Sequence, residues 1–275
     1  MAKRGVFIPK STYPYFEEVQ VEFDWFGGFA KCQKRKCVLS VHMNFLEGMP
    51  DKKVLEISSS STSLLGNNLS AMQLRKFVPS YNKSFCLESV FQTSRIYSNG
   101  AGHFWGKKIG RIEYVELDGW GSKKVIKDLS EGYHSYEYMY EGFKFPAPDF
   151  HISLFYDYIY LNALLEDENS DVREELIKGQ YTAFTDMATK SLNNQARSCA
   201  IFVSLYKANL LDKVKNVEDY LALFRVNMDA DNFAYADSYK DVVLLNKKGE
   251  YTPKKQLPKV HDKYAVEEKY YTVNV

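Results

Sequence analysis

The chain has 275 residues, of which 45% are hydrophobic and 26% are charged, a composition typical of a folded globular protein with a sizeable core. Its net charge is only +1, so nucleic-acid binding would need a local basic patch rather than an overall basic field. No apolar run has the length of a signal peptide or of a membrane span, and we therefore expect a cytoplasmic protein with no membrane partner.

Two strands, a glycine turn and a helix are predicted near the N-terminus. After a short strand over residues 6–8, hydrophobic residues alternate from Val19 to Trp25, which predicts a half-buried strand. A pair of glycines ends this strand, and a helix follows over residues 31–46. Its core-facing side is predicted to hold Val38, Leu39, His42, Met43 and Leu46.

The first turns of this helix are rich in basic residues. They hold Lys31, Lys34, Arg35 and Lys36, next to the backbone N–H groups of the glycine turn and of the helix start. Such N–H groups and cations together can bind a phosphate or a pyrophosphate. A merely solvated face would give the same pattern, but cations at a helix N-terminus oppose the helix dipole, which favours a binding role.

Residues 84–97 predict the helix to which we assign the central role. Its core side is predicted to hold Leu87, Val90, Phe91 and Ser94. With Ser84 as its N-cap, Glu88 lies near the positive end of the helix. Glu88, Gln92 and Arg95 follow one another at intervals of one turn on the neighbouring side. This group either binds and polarises a small polar ligand or forms an ordinary solvated stripe, and spacing alone leaves both readings open.

The middle of the chain changes from strand to loop and then to a buried helix. A strand is predicted over residues 53–58, and the Gly, Asn and Ser residues of 64–71 predict a loop on the ligand side. Residues 98–150 hold eight glycines and two prolines and predict a loop-rich insertion, with one strand over 111–117. Residues 152–165 are apolar on almost every side and predict a buried helix around Asp157.

The last third predicts further helices and then an extended tail. The helices are predicted over residues 171–178, 194–211 and 217–228, with Gly179 ending the first and Asn216 capping the last. Beyond them we expect a strand over 242–245 and an extended arm or peripheral cover over 250–275.

Cysteine and histidine are poorly placed for a metal site. The four cysteines form no Cys-x-x-Cys pair, and Cys86 and Cys199 lie in apolar helical patterns. The five histidines are dispersed along the chain. We therefore expect reduced thiols, no metal and no cofactor.

Several segments resemble the NADAR family, whose members cleave N-glycosidic bonds of ADP-ribose-like or riboflavin-precursor substrates. Residues 87–95, Leu-Glu-Ser-Val-Phe-Gln-Thr-Ser-Arg, resemble the family signature v-E-x-x-F-Q-x-x-K. Further segments resemble the branch of antitoxins that accompany DarT-type DNA ADP-ribosyltransferase toxins. They are residues 23–36, 64–71, 155–164, 183–186 and 191–198, in the family's order. The resemblance implies an α+β fold, mainly helical, with a few short strands.

The resemblance also implies a function. In the toxin-associated branch, the enzyme hydrolyses the bond between ADP-ribose and the exocyclic amino group of guanine in DNA. The expected partners are therefore ADP-ribosylated DNA, ADP-ribose as the product, and a DarT-type toxin. No cofactor is implied.

The matching positions give the expected site residues. The implied catalytic residues are Glu88, Asp186 and Lys34, and the implied substrate-binding residues are Trp25, Phe29, Gln33, Gln92, Asn193, Gln195 and Arg197. Two departures from the family pattern are Arg95 in place of the usual lysine, and Met187-Ala188 in place of tryptophan-glycine. An arginine cannot act as a deprotonatable amine, so no such role is expected at Arg95.

This interpretation makes one spatial prediction and leaves two alternative functions open. Glu88 and Asp186 should line the same cavity, in a catalytic domain over residues 1–229 that carries the 98–150 insertion. Residues 230–275 should be an extension packed on that domain. The alternatives are a module that binds ADP-ribose or the toxin without turnover, and an N-glycosidase of a riboflavin-pathway intermediate.

Overall fold

The structure, a computed structural model, describes residues 2–28, 30–98, 103–105, 118–129, 134–146, 152–188, 193–226 and 234–235. The described chain has an α+β fold, as predicted. It forms two compact units, one made of Met1–Arg75 with Tyr156–Val226 and the other of Lys76–Phe155 with Asn227–Val275. Within the described residues, no helix combines the length and the apolar character that crossing a membrane requires.

The elements alternate along the chain. The strands are β1 Ala2–Pro9, β2 Phe16–Phe23, β3 Val54–Glu56, β4 Arg75–Val78, β5 Lys83–Cys86, β6 Arg95–Ser98, β7 His103–Trp105, β8 His134–Tyr140, β9 Phe143–Pro146, β10 Ala183–Thr185 and β11 Ala234–Tyr235. The helices are α1 Lys31–Gly48, α2 Leu64–Asn68, α3 Leu87–Thr93, α4 Gly119–Leu129, α5 Ile152–Leu165, α6 Ser170–Lys178, α7 Gln195–Lys207 and α8 Val217–Leu223. Short 3-10 turns lie at Pro79–Tyr81, Asp167–Asn169 and Leu211–Val214.

The first unit is built on a four-stranded sheet of order β2-β1-β10-β3. β1 and β2 pair antiparallel over their full length, from Ala2 opposite Phe23 to Pro9 opposite Phe16. β10 pairs parallel to β3, and all three β10 residues are buried. The alternation predicted for β2 is confirmed where Val21 and Phe23 are buried and Gln20 and Glu22 are exposed. The prediction was wrong for Trp25, which lies beyond the end of the strand and is 55% exposed.

The helix α1 covers this sheet with a face that is rotated from the predicted one, although Val38 and Leu46 pack against the core as predicted. Its buried residues are Cys37, Val41 and Phe45, which follow one another at intervals of four along a single stripe. Leu39 and Met43, predicted to face the core, are 59% and 56% exposed. The core stripe is centred on Val41 because that side of α1 packs in one core cluster with Val6, Val21 and Phe23 of the sheet.

The helices predicted from residue 152 onwards are largely confirmed. α5 has the predicted bounds, and Asp157 is buried within it. Asn194 and Asn216 cap α7 and α8, each accepting two backbone N–H bonds, and Gly179 ends α6. α7 and α8 are shorter than predicted: they end at Lys207 and Leu223.

The second unit differs more from the prediction. Ser84 lies in β5 and does not cap the helix, which begins at Leu87 after Cys86 and ends at Thr93. The chain then enters β6, the second strand from one edge of a five-stranded sheet of order β11-β9-β8-β6-β7. The sequence did not predict this sheet or α4, since residues 98–150 were interpreted as loop-rich.

An aromatic cluster forms the core of the second unit. The rings of Tyr138 and Phe155 stack at 4.5 Å between centroids, and Phe91 of α3 stacks on Tyr138 at 5.5 Å. Phe145 of β9 joins them at 5.1 Å from Phe155. This cluster holds α3 against the sheet, so α3 is anchored by its apolar side, as its spacing predicts.

Three predictions lie outside the described residues. These are the strand over residues 111–117, the strand over 242–245 and the arm over 250–275. Of the predicted C-terminal extension the structure describes Ala234 and Tyr235, which pair antiparallel with Lys144 and Phe143 of β9. The predicted domain boundary at residue 229 stays a prediction.

Candidate functional site

A cavity of about 420 Å³ lies in the first unit, beside the turn that joins β2 to α1. The turn contributes aromatic side chains to its lining, α1 contributes a cation, and the loop after β10 contributes two further residues. The lining residues are Arg4, Trp25, Phe26, Gly28, Lys34, Cys37, Met187 and Ala188. The predicted phosphate-binding turn and the two residues that follow the predicted 183–186 segment therefore line one cavity.

Side chains of α1 fix the turn in place. The Ser40 hydroxyl accepts the N–H of Asp24 at 3.0 Å. The Cys37 thiol accepts the N–H of Phe26 at 3.3 Å and donates to the Phe26 carbonyl at 3.6 Å. Gly28 has φ +114°, a conformation that L side chains rarely adopt, so the glycine is required where the turn enters the helix.

The cavity combines an aromatic surface with positive charge. Trp25 is 55% exposed and rests with its ring edge against Phe23, 6.2 Å between centroids. Lys34 is half-buried and lines the cavity. The first turn of α1 contains no acidic residue, so the positive end of the helix dipole and the basic side chains, although unfavourable to one another, both make the electrostatic potential there positive. Such a surface can stack on a base and hold a diphosphate.

Asp186, which is fully buried, fixes the loop after β10 by hydrogen bonding. Its Oδ1 accepts the N–H of Ala188 at 2.8 Å, and its Oδ2 accepts the Gln195 side-chain N–H at 3.1 Å. The Oε1 of Gln195 in turn accepts the N–H of Ala71 at 2.6 Å. In this arrangement, Asp186 and Gln195 position the loop that lines the cavity, and their direct action on a substrate stays a prediction.

Glu56, the last residue of β3, is buried and its carboxyl group contacts the same loop. The sequence did not point to this residue. Its Oε2 accepts the Thr185 hydroxyl at 2.6 Å, and its Oε1 accepts the N–H of Met187 at 2.9 Å. Burial first, and then the nearby charge of Asp186, raise the pKa of Glu56 from 4.5 to about 7. The available signal was a single carboxylate inside the apolar run Val54 to Ile57.

His42 of α1 extends this group. Its Nε2 lies 2.8 Å from the Thr185 hydroxyl oxygen, so the imidazole, the hydroxyl and the Glu56 carboxyl form one hydrogen-bonded row. Burial lowers the pKa of His42 from 6.5 to about 4, so the ring is neutral at physiological pH.

Arg197, predicted to bind substrate, forms a buried ion pair. Its Nη2 lies 2.9 Å from Oδ2 of Asp157, and the Ser198 hydroxyl donates to the other Asp157 oxygen at 2.6 Å. Burial raises the pKa of Asp157, although Arg197 opposes the shift. Two other predicted residues are half-buried: Asn193 precedes the cap of α7, and Gln33 lies in the first turn of α1.

Glu88 and Gln92 of α3 and Arg95 of β6 form a hydrogen-bonded row in the second unit, in which the Glu88–Gln92 contact is the one that helical spacing predicts. The Gln92 side-chain N–H donates to Oε1 of Glu88 at 2.8 Å, and Arg95 Nη1 donates to Oε1 of Gln92 at 3.3 Å. Lys123 of α4 lies 3.8 Å from the same Glu88 oxygen. The Glu88 side chain keeps 11% of its surface exposed, so its carboxylate is oriented but not sealed from solvent.

The predicted site residues therefore fall into two groups. Trp25, Lys34 and the Asp186 loop meet in the first unit, whereas Glu88 and Gln92 meet in the second. The prediction that Glu88 and Asp186 line the same cavity stays a prediction. Phe29 lies outside the described residues. Among those described, no three His, Cys, Asp or Glu side chains are grouped so that they could hold a metal ion.

No curated protein matches the chain at the level of the individual sequence. A family model described as the DarT1-associated NADAR antitoxin matches residues 2–232, a range that includes every predicted site residue.

Proposed function

We propose that this chain, which belongs to the family of DarT1-associated NADAR antitoxins, removes ADP-ribose from guanine bases of DNA by hydrolysing the N-glycosidic bond. The observation that supports this proposal is the cavity that joins Trp25, Lys34 and the Met187–Ala188 wall. ADP-ribose carries two phosphates and an adenine. The cavity has cationic groups that can bind the phosphates and aromatic rings that can stack on the adenine. On this proposal the chain acts where DNA is, in the cytoplasm.

The binding step uses the turn and the first turns of α1. Lys34 and the backbone N–H groups at the start of α1 hold the diphosphate, and Arg4 supplies a second cation to the cavity lining. Trp25 stacks on a purine, because its ring is exposed beside the cavity. The exposed cations Lys31, Arg35 and Lys36 continue the basic surface towards the flanking DNA strand.

The chemical step breaks the bond between the anomeric carbon of the ribose and the exocyclic nitrogen of guanine. Water adds its hydroxyl to the carbon, and its proton ends on the nitrogen, so guanine is restored and ADP-ribose is released. The nitrogen is a poor leaving group, and a well-placed acid or base accelerates such a step by ~10²–10⁴-fold. We assign this role to Glu88, whose carboxylate is oriented by Gln92.

Lys34 has two chemically distinct roles open to it. As a cation it neutralises the diphosphate, and as a free amine it can trap the opened ribose aldehyde as an imine. The first role needs only charge, so Lys34→Arg would preserve it, whereas the second is lost in the same variant.

The assignment of Glu88 is tested by turnover of an oligonucleotide that carries ADP-ribose on one guanine. We expect Glu88→Gln to lower the release of ADP-ribose by about 100-fold or more while the circular dichroism spectrum stays that of the wild type. The matched control is Glu174→Gln, because Glu174 is an exposed glutamate paired with Lys178. Full activity of Glu88→Gln would show that Glu88 is not the catalytic acid or base.

The same assay separates an enzyme from a binding module. An enzyme in excess converts the modified oligonucleotide to unmodified DNA and free ADP-ribose. A binding module shifts the oligonucleotide in a native gel but leaves the adduct intact, which would contradict the hydrolase proposal.

A further inference from the structure

The helix α4 presents an aromatic ring and a cation beside the carboxylate of Glu88. It packs against α3, and its side chains Ser122 and Ile126, which are four positions apart, are buried. Trp120 is 64% exposed, and the side chain of Lys123 is 53% exposed. The solvent-facing part of α4 therefore carries a large aromatic ring and a cation next to the carboxylate to which catalysis is assigned.

Trp120 and Glu88 are linked through Lys123. The Nζ of Lys123 lies 3.8 Å from Oε1 of Glu88 and 6.0 Å from the centroid of the Trp120 ring. The ring is therefore no further from the carboxylate oxygen than these two distances together, a separation that one bound purine can bridge. The Oδ1 of Asp118 accepts the N–H of Gly121 at 2.7 Å, which fixes the start of α4 and the backbone that carries the ring.

Stability of the fold gains little from these groups. An ion pair whose lysine is half exposed contributes little to the free energy of unfolding. A tryptophan that is 64% exposed keeps most of its apolar surface outside the core. An exposed aromatic ring next to cations is instead typical of surfaces that bind unpaired nucleic-acid bases.

We propose that α4 binds the guanine base of the substrate. The ring of Trp120 stacks on the face of the base, and Lys123 donates a hydrogen bond to its O6 while Glu88 faces the exocyclic nitrogen. The inference rests on the proposed function for the role of Glu88, and it adds the residues that select the base.

The Glu88–Lys123 pair matches the edge of guanine that carries the modified nitrogen. This edge presents two donors, the ring N–H and the exocyclic N–H, next to the acceptor O6. The exocyclic nitrogen keeps one N–H when it carries ADP-ribose. A carboxylate only accepts and an ammonium only donates, so the pair, 3.8 Å apart, offers the complementary groups side by side.

Other bases fit this pair less well. Adenine has a donor amine where guanine has O6, and a lysine cannot accept from it. Thymine has an oxygen in place of the exocyclic amine, which would face the carboxylate. The same edge is occupied by base pairing in a duplex, so the guanine must be unpaired or flipped out of the stack when it binds.

Two further cations extend this surface along α4. Lys124 and Lys127 are exposed, and they follow Trp120 at helical intervals of four and then three residues, on the same side. On this proposal they bind the phosphates that flank the stacked base.

The stacking is tested with a short single-stranded oligonucleotide that carries one 2-aminopurine, a fluorescent base that is quenched when it stacks on tryptophan. We expect quenching by the full-length wild-type chain and an affinity about tenfold lower or less in Trp120→Ala. The control is Tyr206→Ala, which removes another exposed aromatic ring, 46% exposed on α7. No quenching by the wild type, or wild-type affinity in Trp120→Ala, would overturn the inference.

The contact to O6 is tested by competition between oligonucleotides with guanine or 2-aminopurine at one position, because 2-aminopurine keeps the exocyclic amine but lacks O6. We expect the wild type to prefer guanine about tenfold and Lys123→Met to bind both equally. The control is Lys178→Met, which also removes an exposed lysine that pairs with a glutamate on a helix surface, here Glu174. A wild type without preference, or a preference kept in Lys123→Met, would overturn the inference.

Both binding tests use unmodified DNA, so they do not depend on hydrolysis. If both succeed but the ADP-ribosylated guanine is not hydrolysed, the proposed function is wrong and the base-binding site stands. If the adduct is hydrolysed with wild-type kcat/KM in both Trp120→Ala and Lys123→Met, the proposed function stands and this inference is overturned.

Discussion

The pH dependence of stability gives a quantitative test of the buried row from Glu56 to His42. The pKa of Glu56 is raised from 4.5 to about 7, and a shift of about 2.5 units corresponds to about 3 kcal/mol. Between these two pH values the unfolded chain releases this proton while the folded chain keeps it. The contribution of Glu56 to the free energy of unfolding is therefore complete below pH 4.5 and is lost as the pH rises to about 7.

His42 has the opposite sign over nearly the same range. Its pKa is lowered from 6.5 to about 4, so the unfolded chain binds a proton that the folded chain excludes. Stability from His42 is complete above pH 6.5 and falls by about 3 kcal/mol as the pH drops to about 4. In the wild type the two contributions offset one another between pH 4.5 and 6.5.

Glu56→Gln removes one side of this balance. We expect the free energy of unfolding of the variant, relative to that of the wild type, to rise by about 3 kcal/mol between pH 4.5 and 7. Urea denaturation at four pH values in this range measures the difference, in which the titration of groups distant from Glu56 cancels. A difference that stays constant with pH would refute the raised pKa of Glu56 and the account of the buried row.

Three further predictions concern the ion pair and the cavity. Asp157→Ala leaves Arg197 buried without its partner and should lower the free energy of unfolding by about 3–5 kcal/mol, whereas Asp212→Ala, at an exposed pair, should cause no measurable change in urea denaturation. Lys34→Met removes a cation from the cavity lining and should weaken ADP-ribose binding about tenfold or more in calorimetry; unchanged affinity would remove Lys34 from the site. Trp25→Ala should weaken binding by about tenfold through lost stacking without lowering the melting temperature, because the ring is 55% exposed, and a fall in melting temperature alone would indicate a structural role.

Elements with strong local signals were predictable from the sequence. The helix over 152–165 is apolar on almost every side. An apolar pattern that continues over 14 residues is too long for a typical strand and therefore indicates a buried helix. Asn194 and Asn216 cap their helices through side-chain oxygens, which depends only on the residue type and on the adjacent helix. The i, i+4 contact from Glu88 to Gln92 follows from helix geometry in the same way.

Features that depend on distant neighbours were not predictable. Leu39 and Met43 are as apolar as the residues of α1 that face the core, and only the sheet decides which stripe is buried. Glu56 is a functional candidate because Thr185 and Met187, about 130 positions away in the chain, converge on its carboxyl group. Such a convergence leaves no spacing signal in the sequence.

The sheet of the second unit was missed for another reason. β8 has the sequence His-Ser-Tyr-Glu-Tyr-Met-Tyr, a period-two pattern in which Tyr138 and Tyr140 are buried. The glycines around it favoured a loop-rich interpretation, although here they separate strands. Tyrosine at alternate positions was the signal that would have found β8.

The central claim, hydrolysis of ADP-ribose from guanine in DNA, is tested most directly with two oligonucleotides that differ only in the base that carries the ADP-ribose. The wild-type protein in excess is incubated with a guanine adduct or with a thymine adduct, and free ADP-ribose and the restored base are measured by mass spectrometry. The account predicts complete release from guanine, with unmodified guanine restored, and far slower release from thymine. Survival of the guanine adduct under these conditions would contradict it.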